Sequence, residues 1–371
     1  MADAEQSVLD GLKQEGLLAA ALIAGLAASV AEPHIEAIGG WAPSLLTLFL
    51  VAVIVCISMR VARHAERIAH KVGDPYGTMV LTLSAVLVEV LVLAIVLSHT
   101  SSPTLVRDTI YSAVMLDING ILGLAALMGG LKHGEQSYND DSARTYSAMI
   151  LTAMGISMVV PEFIHPDKWR HYSMFTIGAM ITLYAVFLRM QTGPHSYFFS
   201  YSYPEKRRPR AATPQYTTDD PPLKLSIGIL ICGVLAIGLL AEAMSASLRV
   251  TADEIGLPLN LIALLVAAIS AGPEILTALR AALANRMQSV VNIALGASLS
   301  TVILTVPVME ALALFNDQPF QMAMTPVQTV MVVITLLVTA INLNDGQTNA
   351  IEGLTHFVLF ATFLALAVMG I

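Results

Sequence analysis

Two glutamates stand where an apolar sequence offers them no water. Glu89 falls near the middle of the run 77–98 and Glu274 in the central part of 257–283. A charged side chain at bilayer mid-depth costs roughly 2.5–3.5 kcal/mol even on lenient insertion scales, so such groups face polar cavities and mark ion or proton paths. Thr78 precedes Thr82 by four residues and Thr82 precedes Glu89 by seven, which puts all three on one helical face; Ser270, Glu274 and Thr277 share a face in the same way. Carboxylate and hydroxyl oxygens suit a hard cation, and a carboxylate also takes a proton. The chemistry on offer is therefore binding of cation or proton at Glu89 and Glu274, with the metal as cargo, no resident cofactor and no catalytic group.

Gly272 and Pro273 stand immediately before Glu274. Proline in mid-helix lacks the N–H that would bond the carbonyl four residues earlier, and broken helices at membrane depth line cavities and coordinate ions. A third acid, Asp117, lies near the middle of 106–130. The stretch Tyr111–Gly120 can be laid over Asn292–Thr301, so that Asp117 meets Ser298 and Asn119 meets Ser300. The expected supporting polar set is thus Thr82, Asp117, Asn119, Ser270, Asn292 and Ser298. Glu162, Glu242 and Glu310 lie nearer run ends and read as reaching headgroups or water.

These side chains need a membrane scaffold. Of 371 residues, 56% are hydrophobic and 12% charged, about half the charged share of an ordinary soluble domain. A formal charge of -8 leaves no basic surplus for nucleic acid. Cys56 and Cys232 sit alone in apolar runs and offer neither disulfide nor zinc cluster. A helix needs about 20 apolar residues to cross the hydrocarbon. Eleven runs qualify, at 17–31, 42–61, 77–98, 106–130, 146–164, 172–189, 223–247, 257–283, 287–315, 325–343 and 353–370. The first is short and Ser29-Val30-Ala31 resembles a signal-peptidase site, but Asp3, Glu5, Asp10 and Glu15 give the preceding segment the wrong sign for a signal sequence. It reads as a retained helix.

Assigning Lys and Arg to alternate sides of these spans puts fifteen on the side of the N-terminus and only Arg107, Lys168, Arg170 and Arg249 on the other. By the positive-inside rule the N-terminus is cytoplasmic and the C-terminus outside. The stretch Met190–Pro222, with Lys206-Arg207-Arg208-Pro209-Arg210 and several prolines, reads as a cytoplasmic linker. Five spans precede it, once the first is set aside, and five follow. An odd number per half forces the halves into opposite orientation, as in an inverted repeat. The expected fold is an all-α polytopic membrane protein: an N-terminal tail and extra helix (1–41), a first five-helix repeat (42–189), the linker (190–222) and a second, inverted repeat (223–371).

The remaining signals are local. Asp74-Pro75 and Asp220-Pro221 look like an N-cap followed by proline at N1, and Asn349 to Glu352 has capping-box spacing. The run Arg60 to Lys71 reads as an amphipathic helix end at the headgroups, and Gly120, Gly123 and Gly296 as small residues for close helix packing.

The stretch Gly73-Asp74-Pro75-Tyr76-Gly77-Thr78 leading to Glu89 resembles the bacterial ChaA-type calcium/proton antiporters of the calcium/cation antiporter superfamily. So do Arg107-Asp108-Thr109-Ile110-Tyr111-Ser112, Gln191-Thr192-Gly193-Pro194-His195, Pro273-Glu274 and Gly346-Gln347-Thr348-Asn349, in order, from about residue 60 to the C-terminus. The resemblance implies ten core helices in two inverted repeats plus an extra first helix, with one essential acid per repeat; Glu89 and Glu274 fall on those positions. It also exposes departures. Where the wider superfamily often shows Gly-Asn-Ala before the acid, Val86-Leu87-Val88 precedes Glu89 and Ala271-Gly272-Pro273 precedes Glu274, so the first repeat lacks an obvious helix break. Asp117 stands where the family would have an apolar residue. The basic linker carries over no calcium-sensing role.

The resulting expectation is a secondary antiporter of a bacterial inner membrane that exports calcium in exchange for protons, with sodium or potassium as the alternative cargo. Its partners are the bilayer, inorganic cations and protons; no oligomeric state is implied. An intramembrane protease would need a signature such as Gly-x-Gly-Asp or His-Glu-x-x-His, which the sequence lacks, and a passive channel is the third alternative.

Overall fold

A computed structural model describes residues 16–38, 40–72, 76–99, 102–192 and 223–371. The described chain is almost wholly helical, as apolar runs must be where no water can satisfy backbone polar groups. Eleven helical segments occupy the eleven expected positions. They are α1 (Gly16–Ile38), α2 (Trp41–Val72), α3 (Tyr76–His99), α4 (Leu105–His133), α5 (Asp140–Phe163), α6 (Pro166–Gln191), α7 (Leu223–Ile255), α8 (Leu259–Ser270 and Gly272–Leu283), α9 (Met287–Asn316), α10 (Pro326–Asn342) and α11 (Ala350–Val368). Eight are long and apolar enough to span a membrane, the bent pair of α8 makes a ninth, and α10 and the apolar part of α1, Leu18–Ala28, are shorter. The helix α1 runs without interruption through residues 29–31. Most of the expected linker, both Asp-Pro caps and Gly73 lie outside the described residues, as does the basic run around Lys206.

Burial orders the layers. In α4, 78% of the residues in the spanning window are buried, against 17% in α6; α4 and α9 therefore form the centre and α6 the periphery. Both central helices carry a π-helical stretch, Leu116–Leu122 in α4 and Thr301–Thr305 in α9, a local widening frequent at functional sites. The long helices α2 and α7 pack along each other, with Thr47 Oγ1 donating to Ser247 Oγ at 3.0 Å. On the other flank α11 packs against α4, where a Cβ on Gly123 would come within 2.8 Å of the Phe357 nitrogen. Only glycine permits that approach, as expected for Gly123, whereas Gly296 meets nothing closer than 3.8 Å.

The motif residues at the helix ends stabilise the bundle. Asp108 accepts from Arg107 Nε and from Gln328 Nε2, each at 2.8 Å, which joins the start of α4 to the start of α10. Gln328 belongs to a capping box with Thr325, a second instance of the spacing seen at Asn349 and one not expected from the sequence. A two-residue antiparallel ladder pairs β1 (Gln136–Ser137) with β2 (Gln347–Thr348). Asn349 caps α11 as expected, its Oδ1 accepting from the backbone of Ile351 and Glu352.

Candidate functional site

The helices α3 and α8 bring Glu89 and Glu274 to one cavity of about 350 Å³, which α2, α4, α5, α6 and α9 also line. It extends from the two glutamates to Glu66 and Gln191, near the end of α2 that carries Arg60, Arg63, Arg67 and Lys71 and the end of α6 that carries Arg189. Thr82, Ser270, Thr277, Asn292 and Asp117 all contribute to its wall, so the two sequence-predicted faces converge. The side chain of Thr78 lies outside the described residues.

The two glutamates are held differently. The helix α3 is continuous, and Glu89, 6% exposed, accepts a hydrogen bond from Thr301 Oγ1 at 2.9 Å. Its Oε1 is buried with no hydrogen-bond partner among the described residues. The helix α8 bends by 63° at Ala271. Glu274 then lies in the first turn of Gly272–Leu283, where the positive end of the helix dipole favours a negative group. Its Oε2 is likewise buried without a partner among those residues. Pro273 leaves the Ile269 carbonyl without its helical donor, and Gly272 lets the bend sit against α2, since a Cβ there would meet Val55 at 2.8 Å.

Asp117 stands in the first turn of the π-helical stretch of α4 and is 2% exposed. Ser298 Oγ of α9 donates to its Oδ2 at 3.2 Å, the pairing that the overlay of the two segments predicts. Asn292 accepts from Gln288 Nε2 at 2.9 Å while lining the cavity. Ser270 Oγ donates to the Ala267 carbonyl at 2.9 Å, which also accepts from the Ala271 N–H.

Two expectations are corrected. Asn119 does not reach the cavity: its amide donates to Thr335 Oγ1 at 2.7 Å and its Oδ1 pairs with His356 Nδ1 at 3.0 Å. Residues 117 and 119 are two apart and so point to nearly opposite sides of α4, which the overlay, matching residue types by position, does not take into account. Glu310 does not reach headgroups either. It is 4% exposed, inside the bundle, with Oε2 lacking a partner among the described residues. By contrast Glu162 is exposed at its helix end, and Glu242 is exposed and 3.2 Å from His99. Thr301 and His356 are not among the residues that the sequence singles out. A threonine in an apolar run gives no signal until the fold shows which acid it faces, whereas a histidine inside the run 353–370 is itself a signal of a buried polar contact.

Among the described residues, no Lys, Arg or His side chain lines the cavity. Nor do any three His, Cys, Asp or Glu side chains among them group closely enough to hold one metal ion, so direct ligands beyond two carboxylates would come from hydroxyl, amide or carbonyl oxygens. Carboxylates without a counter-charge, on helices one of which is broken at mid-depth, are what an ion-coupled membrane transporter requires.

Comparison with known proteins agrees with that class. The sodium/calcium exchanger protein family is matched over residues 41–193 and 225–369, and the chain belongs to this family. It is 32% identical to the putative ionic transporter y4hA of Sinorhizobium fredii, over 71% of each chain. It is 31% identical to the sodium-potassium/proton antiporter ChaA of Escherichia coli, over 71% of this chain and 72% of that one. The solved structure of native YfkE has the same fold, with a TM-score of 0.75 at 19% identity, covering 95% of this chain and 98% of the other.

Proposed function

We propose that this protein is a secondary antiporter that exports a cation, calcium by preference, in exchange for protons. The observation that carries the reading is the pair of carboxylates, Glu89 and Glu274, each with a buried unpartnered oxygen among the described residues and both on one cavity. A buried acceptor without a donor is costly, and either a proton or a hard cation relieves it. Protons and cation therefore compete for one site. The two halves of the chain, 42–189 and 223–371, act as inverted repeats that rock past this fixed centre, with 1–41 as an added helix and 190–222 as the connection. Thr82, Ser270, Asn292 and Thr301 supply neutral oxygens, and the bend at Gly272-Pro273 sets Glu274 in the first turn of a new helix.

With the basic end in the cytoplasm of a bacterial inner membrane, the cavity opens inward and the C-terminus faces outward. Sodium or potassium is the second reading, favoured by the name of the Escherichia coli relative. The test is purified protein in liposomes under an imposed pH gradient, supplied in turn with calcium, sodium and potassium. Saturable, gradient-driven flux of one of them is expected, and flux that ignores the pH gradient would replace the antiporter with a channel. Cysteine labels at Lys206 and Ile371, reached from opposite sides, check the orientation.

A further inference from the structure

The cavity holds one more acid than a pair of exchanging glutamates needs. Asp117 shares the wall with Glu89 and Glu274, and among the described residues no basic side chain lines that wall. From the elements packed around it, the titratable groups facing this space are Glu89 of α3, Glu274 of α8, Tyr146 of α5 and, at the mouth, Glu66 of α2. On the far side of the same turn, His356 of α11 reaches only as far as Asn119. Three carboxylates without a counter-charge cannot all ionise in a cavity of low polarity. Cation or protons must supply the balance.

Asp117 and Asn119 are two residues apart, which puts them on nearly opposite sides of α4, and they have separate roles. Asn119 is tied into packing by Met115, Thr335 and His356. Asp117, two residues earlier, has among the described residues a single hydrogen-bond partner, the donating hydroxyl of Ser298. At 3.2 Å the Ser298 hydroxyl can donate to an ionised carboxylate or accept from a protonated one. A partner that can reverse its role lets Asp117 exist in either form. It does not join both glutamates as a direct metal ligand in this conformation, so its influence on an ion is through charge.

We propose that Asp117 is a third proton-exchanging carboxylate of the cation site, giving up its proton when a cation loads beside Glu89 and Glu274. This rests on the antiport reading above. Coulomb attraction scales with the charge of the ion, so the effect is greater for a divalent than for a monovalent cargo, and Asp117 thereby favours calcium over sodium.

The test counts protons, not transport. Purified protein in weakly buffered detergent solution with a pH-sensitive dye is titrated with calcium chloride and, separately, with sodium and potassium chloride. Wild type is expected to release protons, and Asp117→Asn to release up to one fewer per calcium and to lose more affinity for calcium than for sodium. Equal proton counts with unchanged ion preference would overturn the proposal. If wild type releases no protons with any of the three salts, the antiport reading itself fails, and this proposal with it. Should Asp117→Asn not remain monodisperse, Ser298→Ala keeps the acid and removes its donor. The pH midpoint of calcium-linked release is then expected to move, and an unmoved midpoint would overturn the proposal equally.

Discussion

The helices α3 and α8 carry the same acid to the same cavity by different means. In α3 the backbone is unbroken and Glu89 depends on a side chain from another helix, Thr301, for its hydrogen bond. In α8 the chain bends by 63° and Glu274 takes its place in the first turn of a new helix. The central helices differ in a complementary sense. The π-helical stretch of α4 carries an acid and an amide, Asp117 and Asn119; the corresponding region of α9 carries hydroxyls, Ser298, Ser300 and Thr301. Inverted halves thus need not contribute equal chemistry. One half supplies a helix break, and the other supplies extra charge.

The largest effect tests whether the two glutamates are nonetheless equal. Glu89→Gln and Glu274→Gln each keep the side-chain shape but lose the exchangeable proton, and each is expected to reduce proton-coupled flux in liposomes to that of empty vesicles. Substantial flux in either variant would break the equivalence and leave a single coupling acid. Pro273→Ala addresses the difference between the helices. It restores an N–H to α8 and can re-satisfy the Ile269 carbonyl, making the second half resemble the first. Straightening α8 moves Glu274 out of the first turn of its helix and is expected to weaken cation affinity by about tenfold, roughly 1.4 kcal/mol, with the melting temperature unchanged or higher. Unchanged affinity would mean that the break serves packing alone.

The features that vary between the halves are also unequally legible in the amino-acid sequence. Glycine and proline announce a backbone break, so the residue types alone reveal the bend at Gly272-Pro273 and its absence from Val86-Leu87-Val88. Ionisable residues in apolar runs announce depth, which locates Glu89, Asp117 and Glu274 and the order of the spans. A π turn has no comparable composition. Nor does an overlay of residue types show facing: positions two apart point to nearly opposite sides of a helix, so Asp117 keeps its expected partner Ser298 while Asn119 packs against Thr335 and His356. Glu310 misleads for a related reason: a position near a run end is no measure of closeness to water, because the packing of α9 inside the bundle buries it. Side chains such as Thr301 become functional only through a contact with a residue 212 positions away.

The smallest effect on exchange, and the sharpest contrast with Asp117, is expected at Asn119. Its amide and carbonyl join α4 to α10 and α11 through Thr335 and His356, and it is absent from the cavity wall. Asn119→Ala strips hydrogen-bond partners from two buried groups while leaving the carboxylates in place. Stranding a buried polar group costs about 1–3 kcal/mol, so the variant should melt several degrees below wild type in detergent. Flux per folded molecule, ion preference and pH profile should remain those of wild type, because no oxygen or charge facing the cation has moved. The measurement pairs thermal melting with initial rates for calcium and sodium at several pH values. A stable variant with altered ion preference would return Asn119 to the site. It would also mean that the π turn of α4 presents both its polar residues to the cation at some stage of the cycle.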